Sequence, residues 1–285
     1  MTLQEIKKNF QEELKGIFSS EEIDMFFFMI VQKEFGFSKS KTLASLKEEV
    51  SMGESIMIHG CLNRLKKSEP IQYILEETEF YGLPFKVSPY VLIPRPETEE
   101  LVDWVVQEYK NHKSESLELL DIGTGSGCIA VSLAKKLHWA NISALDVSKK
   151  ALGVAEENAQ HNQVEIDFFE RDILQADSLP KSYDVIISNP PYVRESEKKA
   201  MQKNVLNYEP HTALYVDDED PLRYYQKIAH LAKKQLTSGG ALYFEINEYL
   251  SEELIELLQN EGFKRCILKQ DLFGKDRMLK CSLDE

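Results

Sequence analysis

Apolar residues in the first part of the chain recur at helical spacing. Leu3, Ile6, Phe10, Leu14 and Ile17 fall three or four positions apart, the interval that gathers side chains on one face of an α-helix. Ser19 followed by Glu22 has the spacing of a capping box, and it opens a second helix through the apolar run 25–31. Residues 1–75 are therefore expected to form a small helical domain. Two aromatic-rich runs, Phe80-Tyr81 and Phe85-Lys86-Val87, flank Gly82 and predict a hairpin. On that reading residues 76–95 are an ordered linker. Pro96, followed by Glu97, Glu99 and Glu100, starts a further helix. Proline's missing N–H costs nothing in a first turn, and acids suit the positive end of the helix dipole.

From Leu117 onward the period changes. Short apolar runs at 117–122, 142–147, 165–169, 183–188 and 241–246 alternate with longer helical stretches, the pattern of a parallel, doubly wound sheet. Runs at 264–269 and 278–282, separated by a polar turn containing Gly274, predict an antiparallel pair at the sheet edge. The expected fold is α/β, with a doubly wound, mainly parallel sheet in residues 96–285 and the small helical domain preceding it.

Composition narrows the classes that remain. Hydrophobic residues at 42% and charged residues at 29% are those of an ordinary folded protein. The first residues are largely charged or polar, with no secretory apolar core, and the longest apolar run, 25–31, falls far short of the roughly 20 residues a membrane span requires. A soluble, cytoplasmic chain with no membrane association is expected. A formal net charge of −14 opposes nonspecific binding of nucleic acid, which depends on clustered Lys and Arg, and favours a folded partner with a basic surface. Cys61, Cys128, Cys266 and Cys281 are widely spaced and read as reduced thiols. The histidines, His59, His112, His138, His161, His211 and His230, are dispersed and receive no role. No metal site is expected.

The run Leu119-Leu120-Asp121-Ile122-Gly123-Thr124-Gly125-Ser126-Gly127 places a buried-looking strand directly before a glycine-rich turn and a helix starting near Cys128. Alternate glycines let backbone approach a ligand closely. A dinucleotide fingerprint would need a third glycine at position 128, and Asp121 stands two residues before the first glycine. The better match is S-adenosylmethionine, whose sulfonium and ammonium favour a neighbouring carboxylate. Asp146, at the end of the next strand, is placed to accept from ribose hydroxyls. Asp172, after the third strand, is placed to receive the adenine amino group, with Ile173 against the ring. Each acid can equally cap the helix that follows it. Together with the loop, the three point to a Rossmann-like class I methyltransferase whose donor contacts include Gly123, Thr124, Gly125, Ser126 and Gly127.

Ser188-Asn189-Pro190-Pro191-Tyr192 follows the fourth strand. Prolines cannot donate ladder hydrogen bonds, so the strand stops here and exposes its C-terminal end, where open α/β sheets bind ligands. An amide or aromatic amino nitrogen is a poor nucleophile while its lone pair is delocalised, so it must be held in one orientation. The Asn189 side-chain oxygen and the Pro190 carbonyl can each accept one N–H, and the Tyr192 ring can stack on the planar group. Asn189, Pro190 and Tyr192 are the expected catalytic residues, and Asn189 to Tyr192 the expected substrate contacts. No Ser, Cys or Lys nucleophile is needed.

These features, together with Pro70-Ile71-Gln72-Tyr73-Ile74, Leu92-Ile93-Pro94-Arg95-Pro96-Glu97-Thr98-Glu99 and Tyr208-Glu209-Pro210-His211-Thr212-Ala213-Leu214, resemble the HemK/PrmC family of protein-(glutamine-N5) methyltransferases over nearly the whole chain. The resemblance implies that S-adenosylmethionine is held by residues 123–127, Asp146, Asp172, Ile173 and Asn189. It also implies that residues 189–192 hold the glutamine of the Gly-Gly-Gln motif of peptide chain release factors. From its position and the acidity of the chain, the N-terminal segment is expected to dock a basic face of that partner. Three rivals remain: a ribosomal-protein glutamine methyltransferase, a nucleic-acid amino methyltransferase, and a noncatalytic nucleoside-binding module.

Overall fold

The structure is a computed structural model that describes residues 1–111 and 116–284; His112 lies outside the described residues. It divides into two compact units, one comprising Met1–Glu76 with Gln202–Tyr208, the other Glu77–Met201 with Glu209–Glu285.

The first unit contains helices α1 (Leu3–Leu14), α2 (Ser20–Phe35), α3 (Lys39–Ala44), α4 (Met52–Leu65) and α5 (Ile71–Leu75). Thr2, Ser19 and Ser51 cap α1, α2 and α4, each answered three residues later by Glu5, Glu22 or Glu54, so orphan N–H groups are satisfied from both sides. The apolar stripes of α1 and α2 meet with Phe10 and Phe27 edge to face, ring centroids 5.8 Å apart. Ile17 departs from expectation. The helix stops at Leu14, Gly16 adopts a left-handed φ of 86°, and Ile17 is left exposed.

In the second unit, β1 (Glu77–Phe80) and β2 (Leu83–Lys86) form the expected hairpin. It is not a free connector. Phe80 and Phe85 are buried in the core of this unit, and Asn158 holds the hairpin end, accepting from Lys86 N at 2.6 Å and donating to Lys86 O at 2.9 Å. The chain continues through α6 (Pro96–Tyr109), β3 (Leu117–Ile122), α7 (Cys128–Lys136), β4 (Ala140–Asp146), α8 (Lys149–His161), β5 (Asp167–Glu170) and β6 (Tyr183–Ser188). Short strands β7 (Val193–Arg194) and β8 (Tyr215–Val216) pair with each other; between them in sequence lie α9 (Lys203–Tyr208), which belongs to the first unit, and the short helix α10 (His211–Leu214). Then come α11 (Arg223–Gln235), β9 (Leu236–Glu245), α12 (Ser251–Glu261), β10 (Arg265–Gln270) and β11 (Asp276–Ser282).

The seven-stranded sheet has the order β10-β11-β9-β6-β3-β4-β5. Five strands are parallel, and β11 and β10 add the antiparallel edge. The mainly parallel α/β fold expected from the apolar runs is thus present. Several strand ends differ from the expected runs, those of β4, β5 and β9 among them. Strand β4 begins at Ala140 and ends at Asp146, leaving Val147 60% exposed; β5 begins at Asp167; and β9 begins at Leu236, five residues early. The early part of β9 carries Gly239 and Gly240, which hide a strand from an apolar pattern. Only glycine fits at 240, where a Cβ would lie 3.0 Å from the Asp184 carbonyl oxygen. Cys266 and Cys281, far apart in sequence, are direct cross-strand partners with sulfurs 3.4 Å apart, so the thiols are not all isolated from one another.

Chain order steps outward from β3 to β4 and β5, then returns to β6 on the other side of β3. A crevice opens where the direction reverses, at the C-terminal ends of β3 and β6.

Candidate active site

Both sequence-predicted loops leave the sheet at that reversal. Ser188 Oγ donates to the Ile122 carbonyl oxygen at 2.6 Å, so the ends of β6 and β3 are tied together directly before Asn189 and Gly123. The glycine turn then folds over the end of β4. Gly123 N and Thr124 N donate to Leu145 O at 2.8 and 3.0 Å, and Gly125 N donates to Asp146 Oδ2 at 2.9 Å.

A single cavity gathers most of the expected site. Its wall includes Gly123, Thr124, Gly125, Ser126, Asp146, Asp172, Ile173, Asn189, Pro190 and Pro191, with Tyr90, Val91, Arg95, Thr98 and Pro210 among the other contributors. Asp146 is almost buried. Its Oδ1 also accepts from Ser148 N at 2.8 Å, and burial raises its pKa while these backbone N–H groups oppose the rise. Asp146 therefore organises the turn and the start of α8 while presenting its remaining lone pairs to the cavity. Asp172 accepts from Leu174 N at 2.9 Å and lines the same cavity. The helix-capping and cavity-facing roles coexist in both acids.

Three expected residues lie elsewhere. Asp121 is 1% exposed and sits under the turn, where Oδ2 accepts a 2.6 Å bond from Thr124 Oγ1. Burial pushes its carboxyl up to about 7. It shapes the loop from behind and is absent from the cavity wall. Gly127 is also off the wall. A Cβ there would stand 3.0 Å from Ala155 Cβ, and its φ of 79° lies in the left-handed region, so this glycine serves the close approach of α7 to α8. Tyr192 packs on the core behind β6. Its hydroxyl donates to Glu245 Oε1 at 3.0 Å, and burial, then the Glu245 charge, hold its pKa well above the ordinary tyrosine value. Its ring is not part of the cavity lining.

Sequence reasoning missed four residues. Thr98 and Arg95, from α6 and its N-cap, reach the wall, and Arg95 pairs with buried Glu209 at 2.6 Å. Glu245, at the end of β9, is 1% exposed and receives Thr98 Oγ1 at 2.6 Å. Asn158 donates to Ser126 O at 2.9 Å and so joins the glycine turn to the hairpin. Arg95, Thr98 and Glu209 fall inside the motifs quoted above, which was the available signal; an acid closing an apolar strand was the signal for Glu245.

The donor set fits S-adenosylmethionine. Two carboxylates beside a tight, glycine-rich turn suit hydroxyl and amino donors, and Ile122, Ile173, Leu145 and Val147 supply apolar surface for a purine.

The model of the methyltransferase small domain matches residues 103–212, which span the glycine turn and the Asn-Pro-Pro-Tyr segment. The release factor glutamine methyltransferase of Flavobacterium psychrophilum is 48% identical over 98% of this chain and 99% of its own. The chain belongs to that family. The release factor glutamine methyltransferase of Bacteroides thetaiotaomicron is 46% identical over 81% of this chain and 85% of its own. Among solved structures, the hMettl16 catalytic domain matches with a TM-score of 0.57 at 18% identity, covering 82% of this chain and 83% of that one. That likeness shows the class I methyltransferase fold shared across very different sequences.

Proposed function

We propose that this chain methylates the side-chain amide nitrogen of the Gly-Gly-Gln glutamine in peptide chain release factors, with S-adenosylmethionine as donor. One observation carries the reading: a nucleoside-suited cavity and an Asn-Pro-Pro segment share one wall at the reversal of the sheet, in a chain 48% identical to a release factor glutamine methyltransferase.

The donor supplies an electrophilic methyl group on a sulfonium. The chain's own residues do the rest. Gly123 to Ser126, Asp146 and Asp172 hold the donor. Asn189 Oδ1 and the Pro190 carbonyl accept the two N–H groups of the substrate amide, which fixes its plane and directs its nitrogen at the methyl group; such alignment substitutes for high reactant concentration. The same oxygens stabilise positive charge as the nitrogen–carbon bond forms. Neither is basic enough to keep the proton that the amide sheds, so that proton passes to solvent. Tyr192, with its hydroxyl on Glu245, braces the segment from the core side.

Asn189→Ala removes an orienting acceptor without touching the glycine turn. It should reduce kcat by about 100-fold or more while donor affinity stays within about threefold. Calorimetric donor binding alongside steady-state kinetics checks both, and near-normal turnover would contradict the assigned role.

A further inference from the structure

Asn189 is oriented by Thr98 beside it in the cavity wall and by groups behind that wall. Its Nδ2 donates to Thr98 Oγ1 at 3.2 Å, and Thr98 Oγ1 donates to Glu245 Oε2 at 2.6 Å. The other carboxylate oxygen, Oε1, accepts from the Tyr192 hydroxyl at 3.0 Å. Glu245 is 1% and Thr98 3% exposed, so water does not compete for these bonds. The direction of the chain follows from what each group can do. Burial raises the pKa of Glu245, while the hydrogen bonds from Thr98 and Tyr192 and the Arg277 charge oppose the rise; with both of its oxygens accepting, Glu245 acts as a carboxylate, and a hydroxyl has one proton to give. Thr98 gives that proton to Glu245 and is left with lone pairs alone. Asn189 must then turn its NH2 toward Thr98, which points Oδ1 the other way.

We propose that Thr98 and Glu245 are positioning residues that fix the polarity of the Asn189 amide, so that its oxygen, and not its NH2, meets the N–H of the substrate. The inference deepens the proposed function and rests on it. A flipped Asn189 would set a donor against a donor, and only the Pro190 carbonyl would remain to hold the amide plane. The three residues come from different elements, α6, the end of β9 and the loop after β6. Thr98 is separated by 91 residues from Asn189 and by 147 from Glu245. Packing alone would accept valine in place of threonine; setting the direction of a hydrogen-bond chain requires the hydroxyl.

The test is steady-state methylation of purified release factor by the full-length enzyme, with donor affinity and melting temperature measured on each variant. Thr98→Val keeps the side-chain shape and removes the relay. Its kcat should fall by about 10- to 100-fold, with KM for the factor and Kd for the donor within about threefold of wild type. Thr98→Ser restores the hydroxyl and should bring kcat back to within about threefold of wild type. A Thr98→Val enzyme with wild-type kcat, or a Thr98→Ser enzyme as slow as Thr98→Val, overturns the proposal. Where Thr98→Val fails to fold, Thr98→Ala reads the same relay, because it too lacks the hydroxyl that joins Asn189 to Glu245. Its kcat should drop with donor affinity retained, and an unchanged kcat again overturns the proposal. Failure of the substrate reading looks different: the wild-type enzyme itself then leaves the factor unlabelled, and the inference falls with it.

Discussion

A carboxylate under the glycine turn makes the free enzyme sensitive to pH. Burial raises Asp121 from the usual carboxylate range to about 7, so between about pH 4 and pH 7 the folded chain keeps a proton that the unfolded chain has lost. Stability from this group is fully present below the unfolded pKa and is lost as pH rises through the folded one. The slope from a single proton is at most about 1.4 kcal/mol per pH unit. Asp121→Asn, with no titrating group, should flatten the fall of melting temperature across that window relative to wild type; equal slopes would show that Asp121 does not titrate there. The residue scale is also where the sequence was least complete. Asn189 was legible because two prolines isolate it at a strand end. Thr98 and Glu245 were not, since their relation to Asn189 is a contact across the fold and leaves no local pattern. Asp121 and Tyr192 were legible as chemistry and misplaced, because a motif gives a side chain's type and not the side of the loop on which it lies.

At the scale of elements, the apolar periods located each strand of the main sheet and misjudged several strand ends. Gly239 and Gly240 removed the apolar signal from the start of β9, and the hairpin carried no sign that Asn158 would fasten it to α8. The glycine turn shows how one element constrains another. Gly127 opens α7 against Ala155 of α8, so the last glycine of the motif sets helix spacing while Gly123 and Gly125 line the cavity. Gly127→Ala therefore combines a left-handed backbone with an overpacked contact. It should destabilise the protein by about 1–3 kcal/mol, measured by denaturant titration. A change below about 0.5 kcal/mol would show that the two helices yield freely at this point.

At the scale of the whole molecule, the seven-stranded sheet explains why the two loops meet. Strand order reverses between β3 and β6, which brings residues 123–126 and 189–191 to one cavity although the sequence holds them far apart. The pattern of apolar runs indicated a doubly wound sheet, and the strand order β5-β4-β3-β6-β9 supplies the reversal that the pattern alone leaves unspecified. Family membership then turns a general methyltransferase cavity into one with a particular substrate. No described helix is long and apolar enough to cross a membrane, and the formal charge of −14 suits a basic protein partner better than a phosphate backbone. The central claim is transfer to one glutamine of that partner. The measurement that tests it most directly is transfer of labelled methyl from S-adenosylmethionine to purified release factor, beside the same factor with alanine in place of the Gly-Gly-Gln glutamine. Label on the intact factor and none on the substituted one is the predicted result; equal label on both, or label on neither, would contradict it.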